Sequence, residues 1–516
     1  MQNQVIDNKK VLSNLIWRFS ERTAAQGVSF IVSIVLARLL TPEDYGLIGL
    51  ITVFISIATV FITNGFGTAL IQKENTTQKD YSSVFYFSIS MGITMFLILY
   101  LAAPFIADFY KEPVLTNVVR VLGLSLIIAG INSVQQAYVS KTMQFKRFFY
   151  STIIGTVTSA FIGILMAYKG FGVWALVAQN LSNQIMDTCI LWFTVKWRPT
   201  LEFSLTEMKK MFHYGWKLVF SSLLDTVYNN LYSLVIGKFY SAKDLGYYNR
   251  GRNIPNMVIT NINGSIQSVL FPAFSNSQGD KEKLKSMVRR AIMTSTYLIM
   301  PAMMGLAAVS KPLTIILLTE KWLPSVPFMQ FSCFILAFWP IHTANLQAIN
   351  AVGRSDIFLK LEIIKKIMGF SLMVISIPFG IYAMMIGSCL SAIISSFLNA
   401  SPNKKLLNYG YLEQIKDILP AMLLSLAMGG MAMLWTLTSL GNITMLICQV
   451  ITGIIAYVAG SKIFKLDSYT YIINMIKNIK KAFSGIEETY NVKINIEEVG
   501  YVYDIITAKT EALNEF

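Results

Sequence analysis

Charge is what this sequence has least of. Of 516 residues only 14% are charged, against about a quarter in soluble domains. That excludes a soluble enzyme tethered by a single anchor, and equally a disordered chain. Histidine is scarce, at two residues, and cysteine, at four. Cys189, Cys333, Cys389 and Cys448 stand far apart, each in an apolar run, and none belongs to a CxxC pair. No disulfide framework or zinc site is indicated, and they read as small buried or lipid-facing residues. The chain also lacks a Walker sequence, a GxGxxG opening a helix, an HExxH and a GxSxG. It therefore reads as non-enzymatic, with no cofactor, and any work it does must draw on gradients or on consumption of a product. Behind Lys9 and Lys10 there is no small-residue cleavage site, so the first apolar run reads as an uncleaved signal-anchor.

What is present in excess is apolar sequence, 54% of the chain. Fourteen spans of about 20 residues each need about 280 positions, close to that share of 516. Continuous runs bounded by charges, Pro and Gly fall at roughly 14–39, 45–71, 82–107, 114–140, 149–168, 171–195, 212–237, 246–274, 288–310, 325–351, 357–379, 381–401, 416–438 and 441–464. They are far longer than the alternating ten residues of a barrel strand, so the expected fold is an all-α polytopic membrane protein with about fourteen transmembrane helices. The net charge of +15 sits in short clusters between runs, which orients spans rather than binding nucleic acid. With Lys281, Lys283, Lys285, Arg289 and Arg290 placed inside, both termini are cytoplasmic and the turns at Glu43 and Lys243 lie outside. Residues 466–516 are too polar to span. Tyr471, Ile472, Met475 and Ile476 among Lys477, Lys480 and Lys481 suggest an amphipathic helix on the inner leaflet, followed by an acidic tail with Glu487, Glu488, Glu497 and Glu498.

The halves resemble each other. From Ala37 the chain reads ARLLTPEDYG, and 200 positions on, from Gly237, it reads GKFYSAKDLG. Trp17-Arg18 corresponds to Trp216-Lys217, Gln136-Ala137 to Gln347-Ala348, and FGVWAL from Phe171 to FGIYAM from Phe379. Nearly constant offsets argue for duplication. The expected organisation is an N-lobe at 1–200 with helices one to six, a C-lobe at 201–410 with helices seven to twelve, an appended pair at 411–465 and the tail. Two parallel lobes of this kind place a site at the repeat interface.

Ionisable residues inside spans are costly and mark function. Span one carries Arg18, Arg22, Gln26, Ser29 and Ser33, within a wedge of roughly 80° at helical spacing. Span seven carries His213, Lys217, Ser221, Asp225 and Asn229 at i+4 intervals, with Tyr228 and Tyr232 nearby. Lys217, Ser221 and Asp225 share a face, and a Lys217–Asp225 bridge through Ser221 is the structural alternative to a binding role. Span eight opens with Arg250, Arg252, Asn253 and Asn256. Span six bears Asn180, Asn183, Gln184 and Asp187, either helix–helix glue or functional. Spans one, seven and eight read as lining a cationic, hydrated cavity. Its Arg and Lys suit a phosphate, and its amides and tyrosines suit sugar hydroxyls. The competing readings are snorkelling for Arg18 and Arg22, outer loop charges for Arg250 and Arg252, and packing for His213 and His342.

The segment ARLLTPEDYGLIGL, Ala37 to Leu50, resembles the Wzx-type flippases, the polysaccharide transporters of the multidrug/oligosaccharidyl-lipid/polysaccharide (MOP) superfamily. The resemblance extends over about the first 460 residues. It implies two pseudo-symmetric six-helix lobes that alternate access, in a bacterial inner membrane, and a cargo of undecaprenyl-diphosphate-linked oligosaccharide. It also implies a cavity lined by basic residues on helices one, two, seven and eight, matched here by Arg18, Arg22, Lys217, Arg250 and Arg252. Helix two departs from that pattern, with no basic residue from Ile48 to Phe61. Asp187 and Asp225 are the carboxylates available for ion coupling. Besides the lipid-linked oligosaccharide and membrane lipids, a polysaccharide polymerase and glycosyltransferases are candidate partners. A cation-coupled multidrug exporter and a peptidoglycan-precursor flippase would share the fold, whereas a non-transporting scaffold would need no polar stripes.

Overall fold

The structure, a computed structural model, describes residues 8–277 and 279–490. Among the described residues it contains helices and turns but no strand. The first half comprises α1 (Asn8–Leu39), α2 (Pro42–Thr63), α3 (Phe66–Gln72), α4 (Gln78–Tyr110), α5 (Val114–Leu122), α6 (Leu124–Lys141), α7 (Phe145–Tyr168) and α8 (Val173–Thr194). After an extended connection come α9 (Leu205–Phe239), α10 (Ala242–Ser275), α11 (Lys281–Leu318), α12 (Val326–Ala337), α13 (Trp339–Ala351), α14 (Ser355–Ser376) and α15 (Ile381–Leu407). Then follow α16 (Tyr411–Leu434), α17 (Asn442–Ile463) and α18 (Asp467–Tyr490).

Every apolar run read from the sequence coincides with one of these helices or with short helices that follow one another, as at Val114–Lys141. Among the described residues nine such segments are long and apolar enough to cross a membrane. That makes the chain a multi-pass all-α membrane protein, with nine clear spans against the fourteen expected. The shortfall has a physical cause. Four of the missing five are α8, α9, α10 and α14, whose polar residues dilute their hydropathy, and α1 contributes only the shorter apolar stretch Thr23–Leu39.

The packing divides the described chain into two compact units. The first takes in everything up to Ile254 together with Ser310–Ser332 and Lys366–Ser388. The second takes in Pro255–Val309, Cys333–Lys365 and everything from Cys389 onward. These units follow which stretches of backbone lie close together, and their bounds differ from the repeat-based division at 200 and 410.

Within the first unit the repeated turns build matching contacts. Thr41 Oγ1 accepts from the Asp44 amide and the Thr41 amide donates back to the Asp44 carboxylate, a capping box. Ser241 and Asp244 bond side chain to side chain at 2.6 Å, and the Asp244 amide donates to Ser241 Oγ at 3.0 Å. One turn into each helix stands a glycine. A Cβ on Gly46 would lie 1.6 Å from the carbonyl oxygen of Ala242, and one on Gly246 would lie 1.9 Å from that of Pro42. Only glycine allows α2 and α10 to meet this closely. The preceding helix ends reach across in the same way. Arg38 donates to the carbonyls of Leu317 (2.9 Å) and Ile316 (2.5 Å) at the end of α11, and Lys238 donates to Phe109 O at 2.5 Å near the end of α4. The 200-residue offset of the sequence is thus also an offset of contacts. Around them lies an apolar core that includes Leu50, Ile51, Leu115, Ile236, Leu245 and Trp322.

Candidate functional site

On α9, Asp225, Tyr228 and Tyr232 stand at i, i+3 and i+7 and so share one face. α14 brings Lys366 to this face, where its ammonium pairs with the Asp225 carboxylate and lies 5.7 Å from the centre of the Tyr228 ring. One turn further along, Tyr232 stacks on Tyr248 of α10, with centroids 6.5 Å apart and planes at 19°. The Tyr248 hydroxyl accepts from Arg252 at 2.6 Å. Asn253 follows, exposed. The first unit therefore carries a continuous stripe of Lys366, Asp225, Tyr228, Tyr232, Tyr248 and Arg252. Tyr248 is itself buried, at 3% exposure. The stripe thus offers a ligand the cations of Lys366 and Arg252, which suit an anion, and the half-buried rings of Tyr228 and Tyr232, which suit polar, flat-faced groups such as sugars.

Two expectations need correction. The bridge from Lys217 to Asp225 is not formed, because eight residues of helix separate them by about 12 Å and Asp225 pairs with Lys366 instead. Lys217 is exposed. Arg250 neither faces an open cavity nor sits in an outer loop. It is buried, at 6% exposure, donating to Ser33 O at 2.7 Å, and its guanidinium lies 5.4 Å from the ring of Tyr45 and 5.8 Å from that of Trp322. A planar, weakly hydrated guanidinium is the cation best suited to such ring faces. The adjacent Gly251 is what brings α10 so close. A Cβ there would stand 2.6 Å from Ser325 O. Of the remaining candidates, Gln26 is exposed on α1, and Asn256 is half-buried in the second unit. The side chains of Arg18, Arg22, Gln267, Lys480 and Lys481 lie outside the described residues, as does the acidic stretch with Glu497 and Glu498.

Asp187 belongs to a different place. It lines a cavity of about 690 Å³ inside the first unit, together with Glu21, Asn132, Asn183, Gln184 and Thr188. Asn132 donates to the Asp187 carboxylate at 2.9 Å. The buried Glu21 accepts from Thr152 at 3.3 Å. Asn132 Oδ1, Gln184 Oε1 and Thr188 Oγ1 are buried without a hydrogen-bond partner among the described residues. Buried polar oxygens are ordinarily satisfied, so this cavity is rich in acceptors and suited to a proton or a cation. Asn183 also serves as helix–helix glue, donating to Ser159 at 3.3 Å. No group of three or more metal-ligating side chains occurs among the described residues.

Sequence reasoning missed Lys366, one of the basic pair Lys365-Lys366 near the middle of the run 357–379. It also missed a buried amide network in the second unit. Asn345 and Gln414 exchange hydrogen bonds at 2.8 and 2.9 Å, and Asn403 donates to Asn345 at 2.6 Å. His342, half-buried, meets Asn399 at 3.0 Å, a packing role. All four cysteines are free, with Cys333 buried and Cys189 exposed. Outside the spans, Lys73 joins Asp80 at 2.8 Å and Glu207 at 2.9 Å. Desolvation works against its charge, yet the two carboxylates outweigh that and hold the ammonium above its ordinary pKa.

Many helices, polar faces within the bundle and an acceptor-lined cavity define an architecture of the membrane-transporter type. A family profile described as "Polysaccharide biosynthesis protein" matches residues 35–327, more than half of the chain, and the chain belongs to that family. It is similar to the teichuronic acid biosynthesis protein TuaB of Bacillus subtilis, 29% identical over 309 residues, which are 58% of this chain and 62% of that protein. It is similar to the succinoglycan biosynthesis transport protein ExoT of Rhizobium meliloti, 24% identical over 63% of this chain and 66% of that one. The lipopolysaccharide biosynthesis protein WzxC of Escherichia coli is 24% identical over 82% of this chain and 88% of that one. The chain thus spans somewhat under two thirds of the first two relatives and most of the third, and the resemblance read at Ala37–Leu50 holds. Among solved structures, the lipid II flippase MurJ in an inward closed conformation superposes with a TM-score of 0.69 at 15% identity, covering 90% of this chain and all of that one. An inward-facing multidrug resistance transporter of the MATE family and MOP superfamily gives 0.58 at 16% identity, over 76% of this chain and 98% of that one. The chain shares its fold with these two transporters.

Proposed function

We propose that this protein is a flippase of the bacterial inner membrane. It moves an undecaprenyl-diphosphate-linked oligosaccharide, a repeat unit of O-antigen, capsule or exopolysaccharide, from the cytoplasmic to the periplasmic leaflet. Transport is by alternating access of the lobes 1–200 and 201–410, with 411–465 an appended pair and both termini cytoplasmic. The observation that carries the reading is the stripe on α9, α10 and α14, where Lys366 and Arg252 flank the half-buried Tyr228 and Tyr232, with Tyr232 stacked on the buried Tyr248. Cations at its ends suit a diphosphate, and rings between them suit sugars. Lys217 and, on α1, Arg18 and Arg22 add to the positive side. Relatives named as a transport protein and as a probable low-salt glycan biosynthesis flippase support a transport role. Arg250, buried against Tyr45 and Trp322, would reach the cargo only in a conformation in which those contacts part. A polymerase and glycosyltransferases would consume and supply the cargo.

Coupling falls to Asp187. Asp225 is held by Lys366, whereas Asp187 and Glu21 share a cavity with unsatisfied oxygens. The drug-exporter reading suits this cavity but not the cationic stripe, since a cationic drug would be repelled there. The MurJ-like fold is compatible with a peptidoglycan-precursor flippase. The test is flipping of undecaprenyl-diphosphate oligosaccharide in proteoliposomes, with a lipid-linked peptidoglycan precursor and a cationic drug alongside. Transport of either alternative in preference to the oligosaccharide lipid overturns the assignment.

A further inference from the structure

The second unit carries a corner that the transport reading leaves unused, where α11, α16 and the turn from α17 into α18 meet. Lys285 and Arg289, one turn apart on α11, face Glu413 and Asp417, one turn apart on α16, at 3.2 and 2.5 Å. That seam is balanced in charge. Arg290, Lys416 and Lys465 are not paired with any carboxylate among the described residues, and Arg290 instead lies 4.7 Å from the centre of the Tyr471 ring. They border two adjoining cavities. One, of about 660 Å³, is lined by Arg289, Lys416, Lys465 and Ser468, and the other, of about 300 Å³, by Arg289, Arg290, Ser468 and Tyr471. Across both, four cations face the two carboxylates Asp417 and Asp467, leaving a surplus of two positive charges.

The larger cavity is amphipathic. From its basic end it continues over Leu423, Ala427 and Phe464, of which Leu423 and Phe464 are exposed along the apolar α16–α17 pair. α18 completes the basic end by laying Tyr469 and Ile472 against the cluster of Tyr297, Leu424, Met428 and Tyr457, while Lys477 stays exposed. A soluble anion would have no use for the apolar wall, and an apolar chain would have none for the unpaired cations. We propose that this corner binds the phosphodiester headgroup of an anionic membrane phospholipid, with its acyl chains along Leu423 and Ala427. The bound lipid fastens α18 to the bundle.

Native mass spectrometry of the full chain in detergent tests this, with phosphatidylglycerol, phosphatidylcholine and inorganic phosphate as probes. Wild type should retain phosphatidylglycerol in preference to phosphatidylcholine. The preference should fall about fivefold for each cation removed, following the attraction of one basic residue to an anionic lipid surface, in Lys416→Ala and in Lys465→Ala. Excess inorganic phosphate should not displace the lipid. Arg290→Gln gives an independent check should either lysine variant fail to fold. Equal retention of both lipids, an undiminished preference in the folded variants, or displacement by inorganic phosphate overturns the proposal.

Discussion

Gly46 stands so close to Ala242 that a Cβ on the glycine would be 1.6 Å from the Ala242 carbonyl oxygen, and Gly246 meets Pro42 in the same way at 1.9 Å. The obstacle in both cases is backbone, which cannot swing aside as a side chain could. Gly46→Ala and Gly246→Ala should each force α2 and α10 apart. Overpacking of this kind costs about 1–3 kcal/mol, comparable to the gap between conformations of a carrier. Spin labels at positions 43 and 243 should therefore move apart in either variant, and the exchange rate of cargo should fall. An unchanged distance distribution in both variants would show that the contact is not what holds this end closed.

The Lys366–Asp225 pair gives the second prediction. Were the pair structural, removing one charge would strand the other, and removing both would restore function. Were Lys366 a cargo contact, the doubly neutral protein would stay inactive. We expect Lys366→Ala and the double variant Lys366→Gln with Asp225→Asn both to abolish complementation of a flippase-null strain, and Lys366→Arg to keep part of it. Recovery in the double variant would assign Lys366 to structure alone.

How much of this was legible beforehand depends on how far apart in sequence the partners are. The spans were legible because lipid admits only long apolar helices. The turns were legible because Thr41–Asp44 and Ser241–Asp244 carry their caps within four residues. Lys366 was not, because which of two consecutive lysines enters the bundle depends on the rotation of α14. Lys365 pairs within its own helix with Glu362, and Lys366 crosses to α9. Arg250 was not, because the rings that receive it, Tyr45 and Trp322, are some 200 and 70 positions away. The polar stripe of span six was legible as a stripe. That its carboxylate shares a cavity with Glu21 needed the packing of α1, α6, α7 and α8.

Asp187 yields the third prediction. If protonation in this cavity drives the cycle, Asp187→Asn fixes the neutral form permanently. Flipping in proteoliposomes should then lose its dependence on an imposed pH gradient, while binding of cargo at equilibrium is retained. A variant that still answers the gradient as wild type does would remove Asp187 from coupling and leave Glu21 to be tested in the same way.

The last prediction concerns what the cations recognise. Of Lys217, Arg252 and Lys366, only Lys366 is paired with a carboxylate among the described residues, that of Asp225, and Arg18 and Arg22 on α1 carry two more positive charges. A basic surface inside a low-dielectric wall focuses its field on anions, and a diphosphate brings about two negative charges to it. Affinity of the purified protein for undecaprenyl-diphosphate sugars should therefore weaken as salt rises, since exposed charges are screened over about 10 Å at 0.1 M ionic strength and over about 3 Å at 1 M. Arg18→Glu combined with Arg22→Glu should abolish binding, because it converts two attractions into two repulsions. Removing Lys217 alone should weaken binding and flatten the salt dependence, since one exposed cation contributes a screened, partial share. The control is a neutral lipid-linked glycan of the same sugars without the diphosphate. If it binds equally well, and its binding is equally insensitive to the substitutions, the positive charge serves the fold and the cargo is recognised by its sugars.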